Sequence, residues 1–214
     1  MSACHGATGP GSTVPLLANV VDPENVNAVS TFHSCVGHAY PEQNSPNSGK
    51  NYFWPNSTNF STTNLLREYA ACDGTTGQTS ADLSADQQDR GQTLHLNCDN
   101  SSTALRYFHL NFDPGMVGRH VRAGDFLGYA SMLGTGQSPS AIWQYSSAFD
   151  IAVSDGDDRN TENYFATLSA SAFAAWGPRG LTSVSQTLTP GNPTCSGYSA
   201  DIGNPDIFLL TPVR

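Results

Sequence analysis

The alternation of apolar and polar residues is strongest in the middle of the chain. Residues 93–98 alternate, residues 99–102 carry a polar turn signal, and residues 104–112 continue as a second run. Two runs with a period of two joined by such a turn are typical of a β-hairpin. After a turn at 123–125, strand-like runs return at 126–131 and 149–153. We therefore predict a mainly β protein with an antiparallel sheet.

One segment has the period of a helix instead. Thr161 is a candidate N-cap, and Glu162 lies in the first turn, where a carboxylate suits the helix dipole. Large apolar residues then recur at helical spacing up to Trp176, and Gly177-Pro178 ends the segment. We predict one helix over 161–176, packed on the core. Residues 64–72 have room for one or two helical turns.

The rest of the chain consists of small and polar connecting segments. We predict a flexible arm over residues 1–15, followed by a single β-rich domain over 16–214. Within it, the sheet core spans about 29–153, and the helix with a β tail spans 154–214. The polar stretch 73–91 is longer than ordinary loops, and such loops are often functional.

Composition and charge exclude some functions. The 214 residues are 38% hydrophobic, which is enough for a core, and the formal net charge is −9, with Lys50 the single lysine. A cationic face is needed to bind nucleic acid or an anionic membrane, so we expect neither. No apolar run approaches the ~20 residues of a membrane span, and residues 1–20 lack a signal-peptide pattern. We expect an extracellular or periplasmic protein if a leader was removed, and otherwise a cytoplasmic one.

The five cysteines have no CxxC spacing, so a local zinc knuckle is not expected. They are Cys4, Cys35, Cys72, Cys98 and Cys195. The odd number leaves at least one thiol without an internal partner. Two disulfides are possible, and any four paired cysteines allow three connectivities.

Several segments follow each other in a recognisable order. Residues 106–110 read RYFHL, residues 117–129 read VGRHVRAGDFLGY, and residues 149–153 read FDIAV, while FHSCVGHAY stands upstream at 32–40. Together they resemble the sheet motifs of lysostaphin-type (LytM-like) zinc metallopeptidases. The resemblance covers about half of the chain and implies a LytM-like antiparallel sheet, the duplicated hybrid motif fold.

The resemblance also implies a set of site residues. Active members hold a catalytic zinc with His, Asp and His and leave one position open for water. His109 matches the histidine of the family's Y-x-H-L strand, which assists catalysis. The aligned zinc ligands are Cys35, Ala39 and Asp150, and alanine cannot bind a metal. A shifted alignment gives His38 and Asp150, with either His33 or Glu42 as a third ligand. We interpret the zinc site as degenerate.

Two hypotheses for function follow from this interpretation. In the first, the protein is a non-catalytic, lectin-like pseudo-peptidase that binds a glycan or a cell-wall (peptidoglycan-like) peptide. Its ligand-binding residues would then be His33, Tyr40, Tyr52, Trp54, Trp143 and Tyr145. In the second, it is an active zinc endopeptidase that uses His38 and Asp150 as ligands and His109 as the acid/base or oxyanion partner. A structural or storage role is the plainest alternative.

An acidic run suggests a further ion. Asp155, Asp157 and Asp158 flank Gly156 but lack the spacing of an EF-hand loop. We expect a solvated turn there, with weak calcium binding as the alternative.

Overall fold

The computed structural model describes residues 14–37, 47–56, 65–79, 91–131, 149–156, 160–190, 194–197 and 205–212. Within these ranges the chain is mainly β, as the sequence predicts. The predicted arm over 1–15 lies almost wholly outside the described residues, and the division of the chain into units stays a prediction. No helix in the described ranges has the length and apolar character needed to cross a membrane.

The strands form one 11-stranded antiparallel sheet. In chain order they are β1 (Val26–Ser30), β2 (Asn51–Pro55), β3 (Arg67–Tyr69), β4 (Gly74–Gly77), β5 (Gln92–Cys98), β6 (Thr103–Asn111), β7 (His120–Val121), β8 (Phe126–Ala130), β9 (Phe149–Asp155), β10 (Thr161–Glu162) and β11 (Ile207–Leu209). The main path runs β11-β1-β2-β9-β6-β5-β4-β7. β10 pairs with β9, and β8 joins β3 to β6.

The predicted hairpin is confirmed, with β5 and β6 as its two strands. The prediction of helical turns over 64–72 is wrong, because β3 occupies this segment and pairs with β8. An apolar run this short is compatible with a helix or with a strand, so pairing with another strand decides between the two.

The predicted helix over 161–176 is present as two short helices, α1 (Tyr164–Thr167) and α2 (Ala170–Ala174). Asn163, not Thr161, caps α1, and its side chain accepts a hydrogen bond from the Phe165 amide. Ser169 caps α2 by accepting from the Ala172 amide, so the helix restarts there. The apolar stripe packs on the core as expected, with Trp176 completely buried.

The two faces of the sheet bury different clusters. Side chains alternate along β9, so Phe149, Ile151 and Val153 face the main core, while Asp150 and Ala152 lie on the opposite face. On that second face, residues of β1, β2 and β11 form a smaller cluster together with Val36. Its members are Ala28, Val36, Tyr52, Trp54 and Ile207.

Two disulfides hold distant segments together. Cys35 is bonded to Cys195 across 160 residues, and Cys72 is bonded to Cys98 across 26 residues. This settles the connectivity that the sequence left open. Cys4 lies outside the described residues.

Candidate functional site

A buried ion pair lies at the centre of the second face. Asp150 is fully buried in β9, and its Oδ2 accepts a hydrogen bond from Lys50 Nζ at 2.6 Å. The side chain of Lys50 is itself only 3% exposed. An ion pair so far from water needs close contact to offset the loss of hydration of both charges. The two residues are therefore coupled tightly.

Strand register explains why these side chains meet. Asp150 stands opposite Tyr52 of β2 on one side and opposite Phe108 of β6 on the other. Directly opposed residues project from the same face, so all three side chains point away from the main core. Lys50 lies two residues before Tyr52, and its Nζ sits 3.7 Å from the centroid of the Phe108 ring. The ring thus stabilises the ammonium of Lys50 through a cation–π interaction.

A β-bulge brings His109 to the same site. Leu94 pairs with Tyr107 but Gln92 pairs with Leu110, so Phe108 and His109 together stand opposite Thr93. The bulge requires a left-handed backbone at His109, whose φ is 59°. Because of this extra residue, Phe108 and His109 are both half-buried, whereas Tyr107 and Leu110 on either side are fully buried.

His109 contacts the other oxygen of the buried carboxylate. Its Nε2 lies 3.2 Å from Asp150 Oδ1, and the imidazole remains 25% exposed. A carboxylate in this position fixes the orientation of an imidazole and favours a proton on the facing nitrogen. The Ser131 amide also donates to the His109 carbonyl at 2.6 Å, which anchors the bulge. His109 is therefore a positioned, solvent-accessible group.

The electrostatics of Asp150 follow from these two neighbours. Burial alone would raise the pKa of Asp150, but the ammonium of Lys50 and then His109 outweigh it and hold that pKa well below its usual range. The carboxylate thus stays ionised at neutral pH, with one cation already bound to it.

A second buried carboxyl, Glu68, behaves in the opposite way. It is completely buried in β3 opposite Gly128, and among the described residues neither of its carboxyl oxygens has a hydrogen-bond partner. Burial, with a smaller contribution from the negative charge of Asp150, raises the pKa of Glu68 well above its usual value. Burial thus favours the neutral form of the Glu68 carboxyl over the ionised form.

The structure brings together only some of the predicted site residues. His109 and Asp150 are in contact, as described above. His38, Glu42, Tyr40, Trp143 and Tyr145 lie outside the described residues, and their roles stay predictions. So does calcium binding, since Asp157 and Asp158 also lie outside, while Asp155 accepts a hydrogen bond from the Ser102 hydroxyl.

The other predicted ligand-binding residues lie in or beside the second face. Tyr52 and Trp54 are only 6% and 2% exposed, so here they are core residues of the smaller cluster that support the face from within. His33 is half-buried and stacks on Phe32, and its amide donates to the Ser48 carbonyl in the segment leading to Lys50. Contact of these three residues with a ligand stays a prediction.

A catalytic zinc does not fit the described part of this site. No group of three or more His, Cys, Asp or Glu side chains in the described residues is arranged to hold a metal. In addition, the Oδ2 atom of Asp150 is already bonded to an ammonium, which cannot ligate a metal and repels a divalent cation.

Two important residues were missed by the sequence reasoning. Lys50 is the single lysine and directly precedes the apolar run 51–55. This position next to an apolar run is a sequence signal for a buried charge. Glu68 lies between Leu66 and Ala70 at strand spacing, and both of these are buried. Neither pattern, however, predicts which residue Lys50 or Glu68 contacts.

Solved structures similar to this chain include lysostaphin, a member of the family that the sequence resembles. Lysostaphin from Staphylococcus simulans is 14% identical, with a TM-score of 0.49 over 83% of this chain and 61% of that one. A zinc-containing peptidase from Vibrio cholerae is also 14% identical, with a TM-score of 0.46 over 70% and 39% of the two chains. The SpoIIQ–SpoIIIAH pore-forming complex gives 16% identity and a TM-score of 0.47 over 76% and 98%.

The prediction of a mainly β protein with an antiparallel sheet is confirmed. Solved structures of the family that the sequence resembles are among its structural neighbours. At these identities and TM-scores, no activity, substrate or residue role follows from the likeness. The chain spans about three-fifths of the lysostaphin chain. No family model matches the sequence, and no curated protein matches it.

Proposed function

We propose that this protein is a non-catalytic pseudo-peptidase of the LytM-like fold that binds a glycan or a cell-wall peptide. The observation that carries the proposal is the hydrogen bond between Lys50 and Asp150. A catalytic zinc needs about three protein ligands and an open position for water. Asp150, the residue that the resemblance puts at a zinc ligand, is instead neutralised by the protein's own cation.

The ligand would be bound at the accessible edge of the second face. His109 presents a fixed imidazole there, and the half-buried ring of Phe108 lies next to it. An aromatic ring beside a positioned hydrogen-bonding group suits the apolar face and hydroxyl groups of a sugar, or the amides of a peptide. In this proposal, Tyr40, Trp143 and Tyr145 add further contacts from neighbouring segments.

The acidic composition supports the choice of ligand class. A net charge of −9 disfavours a polyanion, so nucleic acid is not proposed as a partner. Neutral sugars and short peptides carry no such penalty.

The contact between His109 and Asp150 favours one alternative, an active zinc endopeptidase. In it, His38 and Asp150 would hold the metal and His109 would be the acid/base partner. This arrangement requires the Lys50 ammonium to leave Asp150, which would expose the buried carboxylate to a second cation. The hydrogen bond between Lys50 and Asp150 favours the binding protein over this alternative.

Co-sedimentation with purified peptidoglycan sacculi tests the proposal. The variants are His109→Ala and, as a matched control, His120→Ala, because His120 is an exposed histidine that contacts Asp99 far from the second face. We expect the wild type and His120→Ala to pellet with the sacculi, and His109→Ala to bind about tenfold more weakly. Wild-type protein that stays in the supernatant, or equal binding by a folded His109→Ala, would overturn the proposal.

A further inference from the structure

The carboxylate of Asp150 requires a cation at its own position. It is the second residue of β9, has no exposed surface, and is ionised. An unpaired carboxylate is tolerated in such a place only at a very high cost in free energy. In a metal site, the cation would be the metal ion.

Lys50 meets this requirement from within the chain. Its ammonium lies 2.6 Å from Oδ2 and packs over the Phe108 ring, and hardly any of its side chain reaches solvent. The backbone fixes this arrangement, since Tyr52, two residues further on and on the same face, pairs directly with Asp150. Lys50 is thus held in place by the start of β2, which it directly precedes, and its side chain is buried.

We infer that Lys50 is the resident cation of this site and substitutes for a metal ion. A divalent ion bound to Oδ2 would face the ammonium across a few ångströms of low-dielectric interior, where like charges repel strongly. The site is therefore metal-independent, and ligand binding at the His109 face survives chelators. The assignment of Lys50 holds whatever ligand the face binds, whereas its consequence for chelators rests on the proposed function.

A single substitution, Lys50→His, tests whether Lys50 takes the place of a metal ion. In Lys50→His the ammonium is replaced by an imidazole, which is a metal ligand when neutral. Asp150, His109 and the new side chain then offer one carboxylate and two imidazoles, a set of ligand types that zinc accepts. The substitution thus converts the cation site into a metal site.

Binding of Co²⁺ measures this conversion directly, because a tetrahedral cobalt site absorbs visible light. Wild type, Lys50→His and Lys50→His with Asp150→Asn are each dialysed against Co²⁺, and bound metal is counted by elemental mass spectrometry. We expect Lys50→His to hold one more Co²⁺ per chain than the wild type, with the visible bands. We expect the double variant to lose both.

Two outcomes would overturn the inference. One is a wild-type protein that binds one equivalent of Co²⁺ and loses it in Asp150→Asn. The other is a folded Lys50→His that binds no more Co²⁺ than the wild type. Sacculus binding is measured separately, so failure of the cation assignment and failure of the proposed ligand are distinguishable.

If Lys50→His does not fold, a double-mutant cycle with Lys50→Met and Asp150→Asn replaces it. The inference expects the double variant to be more stable than Lys50→Met alone, because no charge is then left unpaired. Strictly additive destabilisation would overturn it.

Discussion

Lys50 and Asp150, 100 residues apart in sequence, form a hydrogen-bonded ion pair at 2.6 Å with almost no access to solvent. The pair links the residue that precedes β2 to the first part of β9. Its energetics depend on both partners, because either charge left alone in this environment would lack hydration.

Replacing Lys50 by methionine is expected to destabilise the protein severely. The methionine keeps most of the side-chain volume but leaves Asp150 as an uncompensated buried charge, which costs about 3–5 kcal/mol in comparable pairs. Urea unfolding measures the loss. As a control, Arg119→Met at an exposed position should change the free energy of unfolding by less than about 0.5 kcal/mol. Similar values for both variants would contradict the structural role of the pair.

The stability at acid pH should depend on Asp150. Its pKa is lowered in the folded state, so its contribution is present above the unfolded pKa of about 3.9 and is lost as the pH falls below that value. The variant that combines Lys50→Met with Asp150→Asn has neither charge. We expect that its free energy of unfolding lacks the part of the decrease at acid pH that comes from Asp150. Unfolding free energies from about pH 6 to pH 2 test it. Parallel pH profiles for the double variant and the wild type would be inconsistent with the pair.

Glu68 should give the opposite pH dependence. Its pKa is raised in the folded state, so stability falls as the pH rises above the unfolded pKa of about 4.3 towards the folded value. In Glu68→Gln this slope, at most about 1.4 kcal/mol per pH unit, disappears. The exposed Glu24→Gln serves as control. A Glu68→Gln profile with the wild-type slope between about pH 5 and pH 8 would show that Glu68 ionises freely in the folded protein.

The bulge that presents His109 should depend on Gly91. A Cβ added at Gly91 would lie 2.5 Å from the His109 carbonyl carbon, and the backbone at Gly91 has a φ of +80°. Gly118 has the same φ with no atom within 4 Å, which makes Gly118→Ala a matched control for backbone strain alone. Backbone strain costs about 1–2 kcal/mol in both variants. The close contact with the His109 backbone is present only at Gly91, so Gly91→Ala should be the more destabilised variant and should also bind sacculi less well. Equal stability of the two variants would exclude the close approach.

The sequence predicts those parts of the fold that have a local cause. The period of two over 93–98 and 104–112 comes from one buried and one less buried face, and the hairpin follows from it. The single helix over 161–176 is predicted less well, because Asn163 and Ser169 cap new helical turns through their own side chains. Such local hydrogen bonds compete with a continuous helix without changing the apolar pattern.

The candidate site is predictable only in part. The resemblance puts His109 and Asp150 at functional positions, and the structure brings the two into contact. The pairing of Lys50 with Asp150 is set by the register of β2 against β9, and no local pattern encodes a contact across 100 residues. The bulge is equally hidden, since His109 adopts a positive φ without the glycine that usually marks it.

The most direct test of the proposed function is a hydrolysis assay on the proposed ligand. Wild-type protein and His109→Ala are incubated with purified peptidoglycan sacculi, with and without added Zn²⁺, and newly formed amino groups are counted. We expect that the wild type sediments with the sacculi yet releases no more amino groups than His109→Ala under either condition. Release that requires zinc and is lost in His109→Ala would contradict it and establish the endopeptidase.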